Sequence, residues 1–110
     1  MSESLAGRTC IPCKGGTPPL TPEAAEDLRA QTPKWDLTDN ATWLRRSFSF
    51  DNFVGALDFV NKVGALAEDI GHHPDFKLGW GYVDISVQTH KIKGLHENDF
   101  ILAAKIDALG

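Results

Sequence analysis

The sequence predicts an α+β domain: a four-stranded antiparallel sheet with three helices packed on one face, in the order α-β-β-α-β-β-α. Three observations carry this. Apolar residues recur at spacings of three and four from Phe53 to Ile70, the period of a helix. Four short strand-like runs, three of them repeating with period two, fall in two pairs each joined by a tight turn, which favours antiparallel pairing. The last of these runs alternates apolar and polar residues, so only one sheet face is expected to meet the helices.

Each element has its own local reason. Residues 1–20 hold Pro12, Gly15, Gly16, Pro18 and Pro19 and read as an irregular tail; residues 21–110 read as a single domain. Thr21 is placed to cap a first helix that starts with Pro22, carries Glu23 and Glu26 in its early turns and runs to about Ala30. Trp35, Asp36 and Leu37 begin a strand, and Asp39-Asn40 forms the turn after it. In the second strand Leu44, Arg46, Phe48 and Phe50 share one face, and Arg45, Ser47 and Ser49 the other.

Asp51 is expected to cap the long helix. Its packing stripe is Phe53, Ala56, Leu57, Val60, Val63, Ala67 and Ile70. Gly71 can end it in the left-handed region, and Pro74 prevents continuation. A hairpin follows. Phe76, Leu78 and Trp80 alternate with polar or small residues, Gly81 breaks the run, and Val83, Ile85 and Val87 alternate again, with His90 at the close of that strand. Gly94 precedes a last amphipathic helix, about Glu97 to Leu109, with Phe100, Ala103, Ile106 and Leu109 available to pack.

Composition narrows the function. With 110 residues the chain suits one domain, and 42% hydrophobic with 24% charged residues is a globular profile. A formal net charge of −4 argues against non-specific nucleic-acid binding. No apolar run approaches a membrane span of ~20 residues. The N-terminus lacks the basic and apolar regions of a secretory signal, so a cytoplasmic protein is expected. Cys10 and Cys13 form a lone C-x-x-C without the four ligands of a structural zinc site. Two free thiols are the favoured reading, with a disulfide or redox pair next and metal last.

Four histidines stand at the ends of elements: His72 and His73 after the long helix, His90 after the hairpin, and His96 at the start of the last helix. Imidazole exchanges protons near neutral pH, so two or three around one pocket could serve as general acid and base without a metal. His96 reads more simply as a helix-start residue. For the other three, composition alone leaves function and ordinary surface placement about equal. A zinc enzyme would call for a pattern such as H-E-x-x-H, which is absent.

The stretch from Glu68 to Asp99 changes that balance. An acid, three residues, His-His-Pro, an aromatic, a spaced histidine and a later aspartate are filled by Glu68, His72, His73, Pro74, Trp80, His90 and Asp99. This resembles the signature of the pterin-4a-carbinolamine dehydratases, and the likeness extends upstream through Trp35 and Leu44-x-Arg46-x-Phe48-x-Phe50. The resemblance implies the same α+β fold, a homodimer or homotetramer, and a cofactor-free dehydration of 4a-hydroxytetrahydropterin to quinonoid dihydropterin in tetrahydropterin recycling.

It also implies roles: His72 and His90 in proton transfer, His73 in binding or orienting the substrate, with Glu68, Asp99, Trp35, Trp80 and Pro74 around them. Each of the latter has a structural alternative. Asp99 falls at the third position of the last helix and could stabilise its start. Glu68 opposes the dipole at a helix end, which suits a residue that orients a histidine, or a solvated acid. Either tryptophan could wall a pterin ring or simply pack, and for Trp80 core or interface packing is the preferred reading. Pro74 could fix the backbone after the histidine pair. Gly71 departs from animal relatives, which carry an aspartate there. The alternative function is a non-catalytic binding module of the same fold, a transcription-factor dimerisation partner or a RuBisCO assembly factor. That second branch tends to lose the histidines present here.

Overall fold

The computed structural model describes Gly7 and residues 18–109. Cys10, Cys13 and most of the Gly/Pro-rich tail lie outside the described residues. The elements are α1 (Pro22–Arg29), β1 (Asp36–Thr38), β2 (Trp43–Ser49), α2 (Phe53–Ile70), β3 (Asp75–Gly79), β4 (Tyr82–Val87), a 3-10 turn at His90–Ile92, and α3 (Glu97–Asp107). The four strands form one antiparallel sheet in the order β1-β2-β4-β3, and the three helices cover one of its faces.

Side-chain alternation sorts the two sheet faces. Leu44, Val83, Ile85 and Val87 turn toward the helices and are wholly buried. The intervening residues form a polar, open face, where Arg45 pairs across to Ser86 and Ser86 to Asp75. Arg46 is the one charge on the helix side. Its guanidinium lies 4.1 Å from the Phe48 ring centroid and pairs with Asp107 of α3.

The caps are built from side chains suited to them. Thr21 Oγ1 accepts from the Ala24 N–H at 3.2 Å, with Pro22 at the first helical position. For α2 the cap is Asn52, not the expected Asp51: Asn52 Oδ1 accepts from the Gly55 N–H at 2.8 Å, so the helix opens one residue later. Gly71 ends α2 at φ 74°, a conformation cheap for a residue without Cβ.

Two expectations about packing change. In α2 the buried residues are Ala56, Phe59, Val63 and Ala67, while Phe53, Val54 and Leu57 are exposed. The helix is apolar over a wider arc than the sheet can cover, and Phe59 meets the rings of both Phe48 and Phe50. The last helix is not amphipathic: residues 98–104 are all buried, because α3 packs against α1 and α2 as well as the core. Withdrawing Phe100, Leu102 and Ile106 from water stabilises the domain by about 1.5–3 kcal/mol each. Leu109 lies past the end of α3 and is exposed.

Candidate active site

One corner of the domain gathers the C-terminal end of α2, the exit of β4 and the start of α3. Gly71 turns the chain out of α2, which sets His72 beneath the first turn of α3. There His72 Nε2 lies 2.6 Å from Oδ1 of Asp99. Asp99 is completely buried, yet its carboxylate is fully engaged. Oδ2 accepts from Thr89 Oγ1 at 2.8 Å and from the His96 N–H at 2.9 Å. With Oδ2 serving two donors and Oδ1 facing His72, the proton of the neutral imidazole belongs on Nε2. Nδ1 is then the ring nitrogen without a proton, able to accept one.

The helix-start reading of Asp99 holds, and the residue also meets His72. It closes a capping box at the start of α3, in which His96 Nδ1 also accepts from the Asn98 N–H at 3.1 Å. The same carboxylate grips His72. His96 is therefore a helix cap.

Thr89 links this pair to the third histidine, because His90 is the next residue. His90 does not close β4, which ends at Val87. It opens a 3-10 turn held by Ile92 N–H to Thr89 O at 3.1 Å and Lys93 N–H to His90 O at 3.2 Å, and closed by the Thr89–Gly94 bridge. Gly94 allows the close approach of Pro19, against which a Cβ would stand 2.6 Å away. Leu20 N–H donates to Leu95 O at 2.8 Å, so residues 19 and 20 brace the same loop.

Each of the three histidines thus faces its own carboxylate. His72 has Asp99, within the fold. His73 contacts Glu68 one turn back along α2, both largely exposed. His90 Nε2 stands 3.8 Å from Asp75 Oδ2, beyond hydrogen-bond reach and open to solvent. Pro74 separates His73 from Asp75 and leads into β3.

The tryptophans divide otherwise than expected. Trp35 is fully buried, its Nε1–H donating to Asp107 Oδ1 at 2.9 Å and its ring edge-on to Phe48. It has no open ring face to offer a ligand. Trp80 is 71% exposed at the tip of the β3–β4 hairpin. At roughly 3.3 Å per strand residue, the length of β3 sets it about 17 Å from the histidines of its own chain. The aromatic residue that does reach the corner is Trp43, whose ring centroid lies 5.7 Å from that of His90. Sequence reasoning passed over Trp43, Thr89 and Asp75. Asp75 follows His-His-Pro directly and could have been suspected, whereas Trp43 meets His90 only through strand pairing.

Beside this corner, the open sheet face carries a groove of about 340 Å³ walled by Arg45, Ser47, Asp75, Lys77, Asp84 and Ser86. Asp75 belongs both to the groove and to the His90 pair. The volume falls at the low end of the roughly 300–1,000 Å³ of small-molecule sites. Among the described residues, no three His, Cys, Asp or Glu side chains converge as metal ligands would, and no helix is long and apolar enough to cross a membrane.

Comparison with known proteins adds a family to this geometry. A sequence model of the family described as pterin 4 alpha carbinolamine dehydratase matches residues 18–109. The chain is 59% identical over 106 residues to a protein of Methylococcus capsulatus provisionally named pterin-4-alpha-carbinolamine dehydratase, covering 96% of this chain and 93% of that one. A protein of Halorhodospira halophila, provisionally named in the same way, is 54% identical, with 97% and 98% covered. Among solved structures, a transcriptional coactivator/pterin dehydratase from Brucella melitensis superposes with a TM-score of 0.77 at 28% identity, over 83% of this chain and 97% of that chain. A pterin dehydratase-like RuBisCO assembly factor of the α-carboxysome gives 0.60 at 27% identity, over 69% and 88%.

Proposed function

The chain belongs to the pterin 4 alpha carbinolamine dehydratase family, and from that premise we propose that it dehydrates 4a-hydroxytetrahydropterin to quinonoid dihydropterin and water by histidine acid–base catalysis. The observation that carries this reading is the hydrogen-bonded path His72–Asp99–Thr89, which ends beside His90. It ties His72 through Asp99 to the residue next to His90 and orients the His72 imidazole, which supports a shared acid–base role for the two histidines.

The chemistry needs two proton movements. The C4a–O bond breaks with its electrons leaving on oxygen, while the neighbouring ring nitrogen supplies the electron pair that forms the new C=N bond. An imidazolium gives a proton to the departing hydroxyl, which leaves as water. A neutral imidazole takes the proton from the nitrogen. His72, acting through Nδ1, and His90 fill these two roles, and His73, steadied by Glu68, helps to orient the ring. Positioned general acids and bases supply factors of about 10²–10⁴, enough for a reaction that already runs in water. The groove along Arg45, Ser86 and Asp75 offers donors and acceptors to the rest of the substrate. In the cell this step would return the pterin to its recycling route after aromatic hydroxylation.

The test is a direct assay. Wild-type protein should accelerate the loss of the 4a-hydroxytetrahydropterin absorbance, and the H72A/H90A double variant should remove the gain. A wild-type trace identical to the uncatalysed one would overturn the proposal.

A second reading is supported by a separate feature. Phe53, Val54 and Leu57 form a partly exposed apolar stripe on α2, flanking its buried face. A homodimer or homotetramer would cover such a stripe, and so would a different protein partner. Retention of a partner by the H72A/H90A variant would support the binding role beside the catalytic one.

A further inference from the structure

We propose that Trp43 is a positioning residue for the imidazole of His90, held ready for that task by Arg45; the inference rests on the catalytic reading of His90. Trp43 opens β2 on the polar face of the sheet, in register with Thr38 and outside the hydrophobic core. An indole on such a face has no part in burying the core beneath the helices. Two groups meet its ring. The His90 imidazole packs edge-on, with centroids 5.7 Å apart and planes at 68°. The Arg45 guanidinium carbon lies 4.9 Å from the ring centroid.

Arg45 is a fixed platform. Its Nε donates to Thr38 Oγ1 at 2.8 Å, Nη1 to Ser86 Oγ at 3.0 Å, and Nη2 to Asp39 Oδ2 at 3.0 Å. A guanidinium bound at all three nitrogens cannot wander, so it limits the indole stacked on it. The backbone is pinned alongside, since Gln88 Nε2–H donates to Thr42 O at 3.0 Å and ties the entry of β2 to the exit of β4.

His90 needs such a constraint. Its side chain is 59% exposed, and its carboxylate neighbour Asp75 stands 3.8 Å away, too far for a hydrogen bond. Among the described residues, Trp43 is the ring that limits the imidazole's rotation. An acid–base group free to rotate spends much of its time misaligned, so loss of the contact lowers the rate of the chemical step more than substrate affinity.

The experiment combines NMR of the His90 imidazole with steady-state kinetics on the full chain. Wild-type protein should show nuclear Overhauser contacts between Trp43 and His90 ring protons. In W43A the His90 signals should move to those of an unconstrained histidine. An edge-to-face pair of ordinary strength corresponds to roughly a two- to tenfold loss of kcat, with KM within about twofold. W43F, which keeps an aromatic ring, should recover the signals and most of the rate. The proposal is overturned if the wild-type contacts are absent, if His90 signals are unchanged in W43A, or if they move with kcat unaltered. Should W43A not fold, the wild-type contacts and the same readings on W43L decide. Absence of turnover by wild-type protein would remove the catalytic reading of His90 by itself, while the NMR readings still decide whether Trp43 holds the ring.

Discussion

Nε2 of His72 sits 2.6 Å from Oδ1 of Asp99, and that carboxylate is wholly buried while the imidazole is partly open. One acid thereby starts a helix, satisfies the buried Thr89 hydroxyl and sets the tautomer of a catalytic candidate.

Replacing Asp99 by Asn separates these tasks. The amide oxygen can still accept from Thr89 and His96, but the amide nitrogen must then face His72 and donate to Nε2. The neutral imidazole would carry its proton on Nδ1, the wrong atom for accepting one there. Activity of D99N is expected to fall by about 10²–10⁴, as for other tautomer-fixing aspartates. The melting temperature should fall only modestly, because the cap survives. Absorbance kinetics and thermal denaturation on the same sample check both halves.

Glu68 makes the opposite case. Its pair with His73 is mostly solvated, and exposed ion pairs are worth about 0–1 kcal/mol. Its charge also opposes the dipole at the end of α2. For E68Q, stability within about 0.5 kcal/mol of wild type and kcat within roughly threefold are expected. A loss comparable with D99N would show that His73 is a proton-transfer group and not an orienting one.

Trp35 tests how side chains divide between core and site. Its ring is sealed beneath the sheet, and its N–H shares Asp107 with Arg46. W35F removes that donor and leaves a gap, at a cost of about 1–3 kcal/mol. For a domain of this size that is a drop of roughly 4–8 °C in Tm per kcal/mol. KM for the pterin should stay within about twofold. A large rise in KM with unchanged Tm would return Trp35 to the substrate site.

Much of this arrangement was legible before any coordinates. Period and caps locate the helices and the first three strands to within a residue or two, since they depend on local rules: Pro22 after Thr21, Gly71 after Ile70, Gly81 between two alternating runs; the end of β4 is set three residues late, at His90. His72 and Asp99, which the resemblance grouped and the sequence placed at helix ends, do meet in the structure, whereas His73 turns to Glu68. What could not be read depends on partners distant in sequence. The partner of the Trp35 indole, Asp107, lies 72 residues away. The His90–Trp43 contact follows from the β2–β4 pairing, which places β4 between β2 and β3, and spacing did not fix that order. The burial of Asn98 and Asp99 resembles a polar helix face in the sequence and becomes a covered capping turn only when α1 and α2 close over α3.

The α2 stripe gives a prediction about assembly. Phe53, Val54 and Leu57 flank the buried face of α2 and are partly exposed, so L57S should cost no more than about 1 kcal/mol if that face is open. If it is covered by a second copy, sedimentation should show an oligomer for wild-type protein, and the F53S/L57S variant should shift toward monomer. An oligomer unaffected by both changes would place the interface elsewhere on the domain.

The β1–β2 turn holds a local conflict between residue and backbone. Asp39, Asn40 and Ala41 have φ values of 52°, 59° and 62°, three left-handed residues in succession. Asp and Asn tolerate that region, but Ala41 has no polar group to compensate the clash of its Cβ, which costs about 1–2 kcal/mol. Glycine would relieve the clash and lose about 0.4–1 kcal/mol through the freer unfolded chain. A41G is therefore expected to be more stable by up to about 1 kcal/mol, read as a raised midpoint in urea with an unchanged slope. Because Asp39 binds Arg45, which in turn stacks on Trp43, the same variant should leave kcat within about twofold if the turn keeps its shape. A lowered midpoint would mean that Ala41 does not occupy the left-handed region in solution.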